Sequence, residues 1–156
     1  MGLDTSGRRS IYSWYMNKTE LLDFLQKHRL GVLATVSPNG DPEAAVVGIA
    51  VTDRLEVVFD TLDTTRKCHN LRNHANIALV IGWDEEMTVQ VEGIADEPAG
   101  PELDRLKTTY FAAYPDGESR KSWPGITYFR VRPTWARYSD FHDGMVVEFT
   151  AAQLNG

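Results

Sequence analysis

The densest run of chemistry-bearing side chains is Thr64-Thr65-Arg66-Lys67, which puts two hydroxyls, a guanidinium and an ammonium side by side. It lies inside "LEVVFDTLDTTRKCHNLRNHANIALVIG", residues 55–82. Leu55, Val57, Phe59 and Thr61 alternate with Glu56, Val58 and Asp60, the period of a strand. The turn "TLDTT" is rich in side chains that bond nearby backbone N–H groups. Arg66 and Lys67 then open a short helix carrying Cys68, Leu71 and Arg72, which Asn73 and Asn76 bring to a stop, and a second strand follows. A helix start offers unpaired N–H groups, and with two cations and hydroxyl donors beside it the place suits a phosphate. The same residues also fit a plain N-cap at Thr64 or Thr65 with both cations in water. Spacing alone leaves both readings open.

Other catalytic patterns are weak. His28, His69, His74 and His142 show no metal-ligand spacing, and no metal site is expected. There is no nucleophile elbow, Walker loop or dinucleotide fingerprint. Cys68, the single cysteine, follows Lys67 near a helix start, which can activate a thiol, but it reads better as a small buried hydrophobe.

The remaining elements must hold the phosphate-like corner in place. Residues 1–16 read as an N-terminal arm, with Trp14 and Tyr15 free to pack on another surface, and 17–150 as one domain. Asn17 and Glu20 form a capping-box pattern ahead of a helix with Leu21, Leu22 and Leu25 on one face. Lys27, His28 and Arg29 suit its last turn, and Gly31 its stop. "LGVLATV", 30–36, is a strand, and "SPNGDP" is a hairpin turn. "EAAVVGIAV", 43–51, is nearly all apolar, so it reads as one strand covered on both faces. Gly48 interrupts it, marking either close approach of a ligand or backbone, or a barrel bend. "WDEE" is an acidic turn and "MTVQVEGIA" an alternating strand. "PELDRLKTTYFAAY" is an amphipathic helix with Leu103, Leu106, Tyr110 and Tyr114 on one face. "ITYFRVRP" and "WARYSDF" read as two strands, and "MVVEF" as an edge strand. Hairpin turns without βαβ periodicity predict a mainly β, α+β fold: an antiparallel barrel of about six or seven strands with peripheral helices.

The 156 residues suit one domain with a real core. A net charge of −6 argues against nucleic acid or an anionic membrane as partner. A single cysteine excludes an internal disulfide and suits a reducing, cytoplasmic setting. "MGLDTSGRRSIYSWYM" lacks the apolar segment of a signal peptide. No apolar run approaches the ~18 residues that span a bilayer.

The run "FDTLDTTRKCHNLRNHANIALVIGW" resembles the flavin-phosphate segment of the pyridoxamine 5'-phosphate oxidase-like family, split β-barrels that bind flavin mononucleotide (FMN). The shared pattern is a strand ending in aromatic-x-Thr, a Ser/Thr-Arg-Lys triplet at a helix start, and x-Asn-x-x-hydrophobic before the next strand. The likeness extends more loosely from Leu22 to Phe141. It implies an FMN-binding split barrel that forms a homodimer with the cofactor at the interface, an oxidoreductase acting on a small substrate not named by the sequence. By this resemblance Arg66 and Lys67 neutralise the phosphate and Thr65 donates to it. Thr61 faces the ribityl chain or ring edge, and the backbone of Val46, Val47 and Gly48 lines the ring. Thr88 or Gln90 reaches the cofactor held by the other subunit, and Trp135 and Tyr138 stand near the flavin or pack in the core. The sequence also departs from the family's true oxidases. Ala45 and Ala50 replace basic residues, and "SDFHDG" replaces an Arg-x-His clamp in a shorter C-terminal region, which points to the short general-stress-type members. A deazaflavin or haem in the same fold, or a non-catalytic flavin-binding module, are the alternatives.

Overall fold

The computed structural model describes residues 15–156; residues 1–14 of the expected arm, Trp14 among them, lie outside the described residues, while Tyr15 is exposed and Met16 is buried in the core. Helix α1, Lys18–Gln26, starts with the Asn17–Glu20 capping box in full, each side chain accepting from the other's backbone N–H. It ends one turn earlier than its basic residues led us to expect, because Leu30 and Gly31 already belong to strand β1, Leu30–Val36. β2 is Pro42–Gly48, β3 Ala50–Val51, β4 Val57–Leu62, and helix α2 Arg66–Asn73. β5, Asn76–Ile81, and β6, Met87–Asp96, follow, with a short 3-10 turn over the acidic residues 84–86. Helix α3 is Gly100–Ala113, β7 Ile126–Asp140, β8 Met145–Thr150, and helix α4 Ala151–Asn155.

The strands form one antiparallel sheet of eight, in the order β2-β1-β5-β6-β7-β4-β3, with β8 also against β7. The sheet curls around a core that includes Leu33, Val57, Phe59, Leu79, Val89, Val91 and Tyr138, and α1 adds Leu21 and Leu25. This is the expected split barrel, with more strands than sequence counting gave. A second, smaller cluster lies outside it, where Leu106 and Tyr110 of α3 cover Ala50, Val58 and Tyr128. Met16 and Leu154 belong to the main core, so packing reaches both ends of the described chain. No helix among the described residues is long and apolar enough to cross a membrane.

Three expectations need correcting. The run 43–51 is two strands, not one. β2 pairs with β1 and β3 with β4, so the chain crosses between the two ends of the sheet at Ile49. Gly48 marks this bend, and a Cβ there would meet the Tyr114 ring at 3.0 Å, so the missing side chain makes room for a tyrosine of the same chain. The predicted pair of C-terminal strands is one strand of 15 residues. Pro133 does not break it, because the register shifts at Glu92/Gly93 beside it and no ladder bond is demanded of its nitrogen. Helix α4 was not expected, although Thr150 and Gln153 spell its capping box.

Candidate functional site

The sheet does not close by hydrogen bonds between β2 and β4, and this seam is the split in the barrel. Helix α2 sits beside it because Cys68 and Leu71 are buried in the core and Asn70 is tied to β1, its amide donating to Thr35 Oγ1 at 3.0 Å. Thr65 is the N-cap, and its hydroxyl accepts from Cys68 N–H at 3.3 Å. The Arg66 and Lys67 amides of that first turn have no helical partner. Thr61, at the end of β4, is buried, and its hydroxyl lies 2.8 Å from that of Thr65. The two readings of the Thr-Thr-Arg-Lys run are therefore not exclusive: Thr65 caps the helix, and the cation pair remains at the helix mouth.

A hollow of about 390 Å³ opens there, lined by Leu33, Thr35, Ala45, Thr65, Arg66 and Lys67, with Glu43 at its side. A neighbouring one of about 410 Å³ is lined by Ser37, Asp63, His69 and Asn70 and shares Glu43, Thr65 and Arg66. The Arg66 side chain is 83% exposed and paired with the Glu43 carboxylate. The second oxygen of Glu43 accepts from the Asn70 amide at 2.8 Å. Glu43 thus stands against the two cations in both hollows, and the sequence reading did not single it out; Asp63 lines only the neighbouring one. Asn70 was visible as the Asn of the family-like pattern. Glu43 and Thr35 carried no signal, since only the pairing of β2 with β1 places them against α2.

The remaining expected site residues divide between two faces. Val47 is buried, and Gly48 is packed by Tyr114, whose ring also lies under the Arg29 guanidinium. Val46 is 62% exposed on the outer face of the sheet. Register carries its row from Val46 through Val32, Val80 and Gln90 to Arg137. Gln90 is exposed in that row, and Thr88 Oγ1, two residues away, is out of water with no hydrogen-bond partner among the described residues. The fold therefore gathers Thr61, Thr65, Arg66 and Lys67 at one corner, while Val46, Thr88 and Gln90 look out from the barrel. Tyr138 packs edge-on against Phe24 in the core, ring centres 5.4 Å apart, while Trp135 lies half-buried on the opposite face of β7. Ala50 is buried under α3, where a basic side chain would have no water. Burial pushes the Cys68 thiol pKa up, so it is not an activated nucleophile.

A larger hollow, about 560 Å³, lies at the opposite end of β4 and is rimmed by Lys18, Glu56, Glu102, Arg105, Arg130 and Arg132. Its inner charges are already matched. Arg105 grips Glu56 with two bonds of 2.8 and 2.9 Å, and Arg130 grips Asp96 with two of 2.9 and 2.6 Å. Size favours this hollow, but unspent charge favours the α2 corner.

A family model described as pyridoxamine 5'-phosphate oxidase matches residues 18–140. Over 92 residues, 58% of this chain, the sequence is 38% identical to a pyridoxine/pyridoxamine 5'-phosphate oxidase of Burkholderia cenocepacia (strain HI2424), of which the match covers 41%. The chain thus matches less than half the length of that relative. Among solved structures, a haem binding protein from Mycobacterium smegmatis superposes with a TM-score of 0.80 at 19% identity, covering 90% of this chain and 61% of that one. General Stress Protein 26 from Bacillus anthracis str. Sterne gives 0.65 at 22%, covering 85% and 98%. Both likenesses are of fold. With the family model spanning most of the chain and the split barrel it predicts in place, this protein belongs to the pyridoxamine 5'-phosphate oxidase family.

Proposed function

We propose that the chain is an FMN-binding flavoprotein that works as a homodimer, an oxidoreductase acting on a small molecule. The observation that carries the reading is the α2 corner: a helix mouth with free amides, Arg66 and Lys67 beside it, and a hollow of about 390 Å³ running onto the β2 edge. Arg66 and Lys67 hold the phosphate as charge-assisted donors, and the Thr61–Thr65 hydroxyl pair fixes the chain that leads from it. The seam edge at Val46, Val47 and Gly48 offers backbone donors and acceptors to the rim of a planar ring. When bound, the flavin itself supplies the redox chemistry, so no side chain need act as acid or base.

The homodimer accounts for the outward row. Leu30 (48% exposed), Val46 and Val80 are apolar and face outward, and a second copy covering them would bring its own Thr88 and Gln90 towards the cofactor. Ala45 and Ala50 offer no charge to a phosphorylated substrate, so the proposal leaves the substrate unassigned rather than extending to vitamin B6 oxidation. A deazaflavin with a phosphate would use the same corner. Haem fits less well, since no histidine lines the hollow at Leu33–Lys67, exposed His69 lines only the neighbouring one, and His28 is engaged with Phe24, its ring Nδ1 lying 2.7 Å from that carbonyl. The single, buried Cys68 fits a reducing cytoplasm, and the acidic chain has no evident use for nucleic acid or membrane.

The visible spectrum of protein purified from cells tests the proposal. Bands near roughly 370 and 450 nm support flavin, a strong Soret band replaces it with haem, and a colourless protein that ignores added FMN ends it. Sedimentation must give a dimer.

A further inference from the structure

We infer that Glu43 is a built-in competitor for the phosphate, the residue that decides how much a phosphate group adds to binding. The inference rests on the flavin reading above. The Glu43 carboxylate is divided between two donors, Arg66 on one oxygen and Asn70 on the other at 2.8 Å. The two halves differ in freedom. Asn70 is 2% exposed, and its amide also donates to the buried Thr35, so the carboxylate is pinned to the wall of the barrel. Arg66 is 83% exposed and free to swing. Glu43 lines both hollows at the corner, so an oxyanion entering either one meets a fixed carboxylate that already spends the charge of Arg66.

Binding is therefore an exchange. Arg66 leaves the carboxylate for the phosphate, and two like charges remain close together in a half-buried place, where Coulomb repulsion is larger than in bulk water. Lys67, which has no ion-pair partner among the described residues, supplies the unspent cation. Ligands that lack the phosphate feel none of this exchange. The wild-type protein should thus prefer FMN over riboflavin by less than its two cations imply, and removing the charge at position 43 should widen the preference.

Glu43→Gln tests this, since its amide oxygen still accepts from Asn70 and keeps the tie between β2 and α2. FMN and riboflavin are titrated into both proteins by flavin fluorescence. FMN should bind E43Q at least about tenfold more tightly, with riboflavin unchanged. Equal or weaker FMN binding, or an equal gain for riboflavin, overturns the inference, because a purely structural Glu43 would move both ligands together. Melting in phosphate-free buffer checks the fold. Should E43Q fail to fold, Glu43→Asp withdraws the charge by one methylene and should give a smaller gain in the same direction. Inorganic phosphate separates the two proposals. If neither protein takes FMN, the flavin reading falls, yet added phosphate must still raise the melting temperature of E43Q more than that of the wild type, and equal shifts overturn the role of Glu43.

Discussion

Strand β4 carries a charged cluster at each end, and the two are built on opposite plans. Before Val57 the cluster is closed. Glu56 is buried, Arg130 has 8% of its side chain exposed, and the guanidinium groups of Arg105 and Arg130 are shared among Glu56, Asp96 and Glu102. Burial alone would raise the pKa of the Glu56 carboxyl, but the hydrogen bonds from Arg105 and Thr52 and the two guanidinium charges outweigh it and hold the pKa down at about 2. Beyond Leu62, roughly 20 Å away along the strand, the cluster is open. Arg66 is 83% exposed and held only by its ion pair with Glu43, Lys67 has no ion-pair partner among the described residues, and the helix mouth keeps its amides. Charges that satisfy one another hold strands and helices together, whereas charges left unsatisfied are available to a ligand. Hollow volume alone points to the end whose charges are already matched.

Breaking both open-end cations gives the largest contrast. Arg66→Ala with Lys67→Ala should cost FMN about 1.5–3 kcal/mol per lost charge-assisted bond, a loss on the order of 10²-fold or more in fluorescence titration. Its unfolding free energy in urea should stay within about 0.5 kcal/mol of the wild type, since an exposed ion pair contributes little to folding. Unchanged titration would remove the phosphate assignment.

At the closed end the outcome should invert. Arg130→Met leaves Glu56 and Asp96 short of a partner and should cost about 3–5 kcal/mol in chemical denaturation, with little change in flavin affinity among molecules that remain folded. A loss below about 1 kcal/mol would mean the network is not a structural one.

Acid sharpens the same difference. The Glu56 pKa is lower in the folded protein than in the unfolded chain, so its contribution is complete above about pH 4.5 and is lost as pH falls towards about 2. A shift of this size corresponds to about 3 kcal/mol. Glu56→Gln should be less stable at pH 7 and show a flatter acid limb. Parallel curves for the two proteins would refute the assignment.

The smallest effect concerns the far end of the seam. Gly48→Ala pushes a Cβ towards the Tyr114 ring, and the overpacking should cost about 1–3 kcal/mol. Gly48→Ala combined with Tyr114→Phe should not relieve it, because the ring carbon Cζ is as close as the hydroxyl.

Much of this architecture was legible in the residues. Asn17 and Glu20 announced α1, and Val57, Phe59 and Thr61 announced the inner face of β4. Thr65-Arg66-Lys67 announced both the cap and the cations, because capping and alternation are local and repeat with the period of the element. The break at Ile49 and the continuity through Pro133 were not legible. In each case the deciding partner is distant in sequence: β1 and β4 claim different parts of 42–51, and the bulge at Thr134 beside Pro133 exists only because β7 lies against β6. Glu56 gave no warning either, since Arg105 and Arg130 reach it from α3 and β7.

Local chemistry thus determined most of the strands and helices, that an antiparallel barrel-like sheet results, and that a cationic helix start follows β4. Tertiary structure alone decided which charges remain unspent. A carboxylate at position 43 cancels an arginine at 66 only because β2 lies along β1 and α2 is pinned there through Asn70 and Thr35, and charges interact through the distance between them in space rather than along the chain.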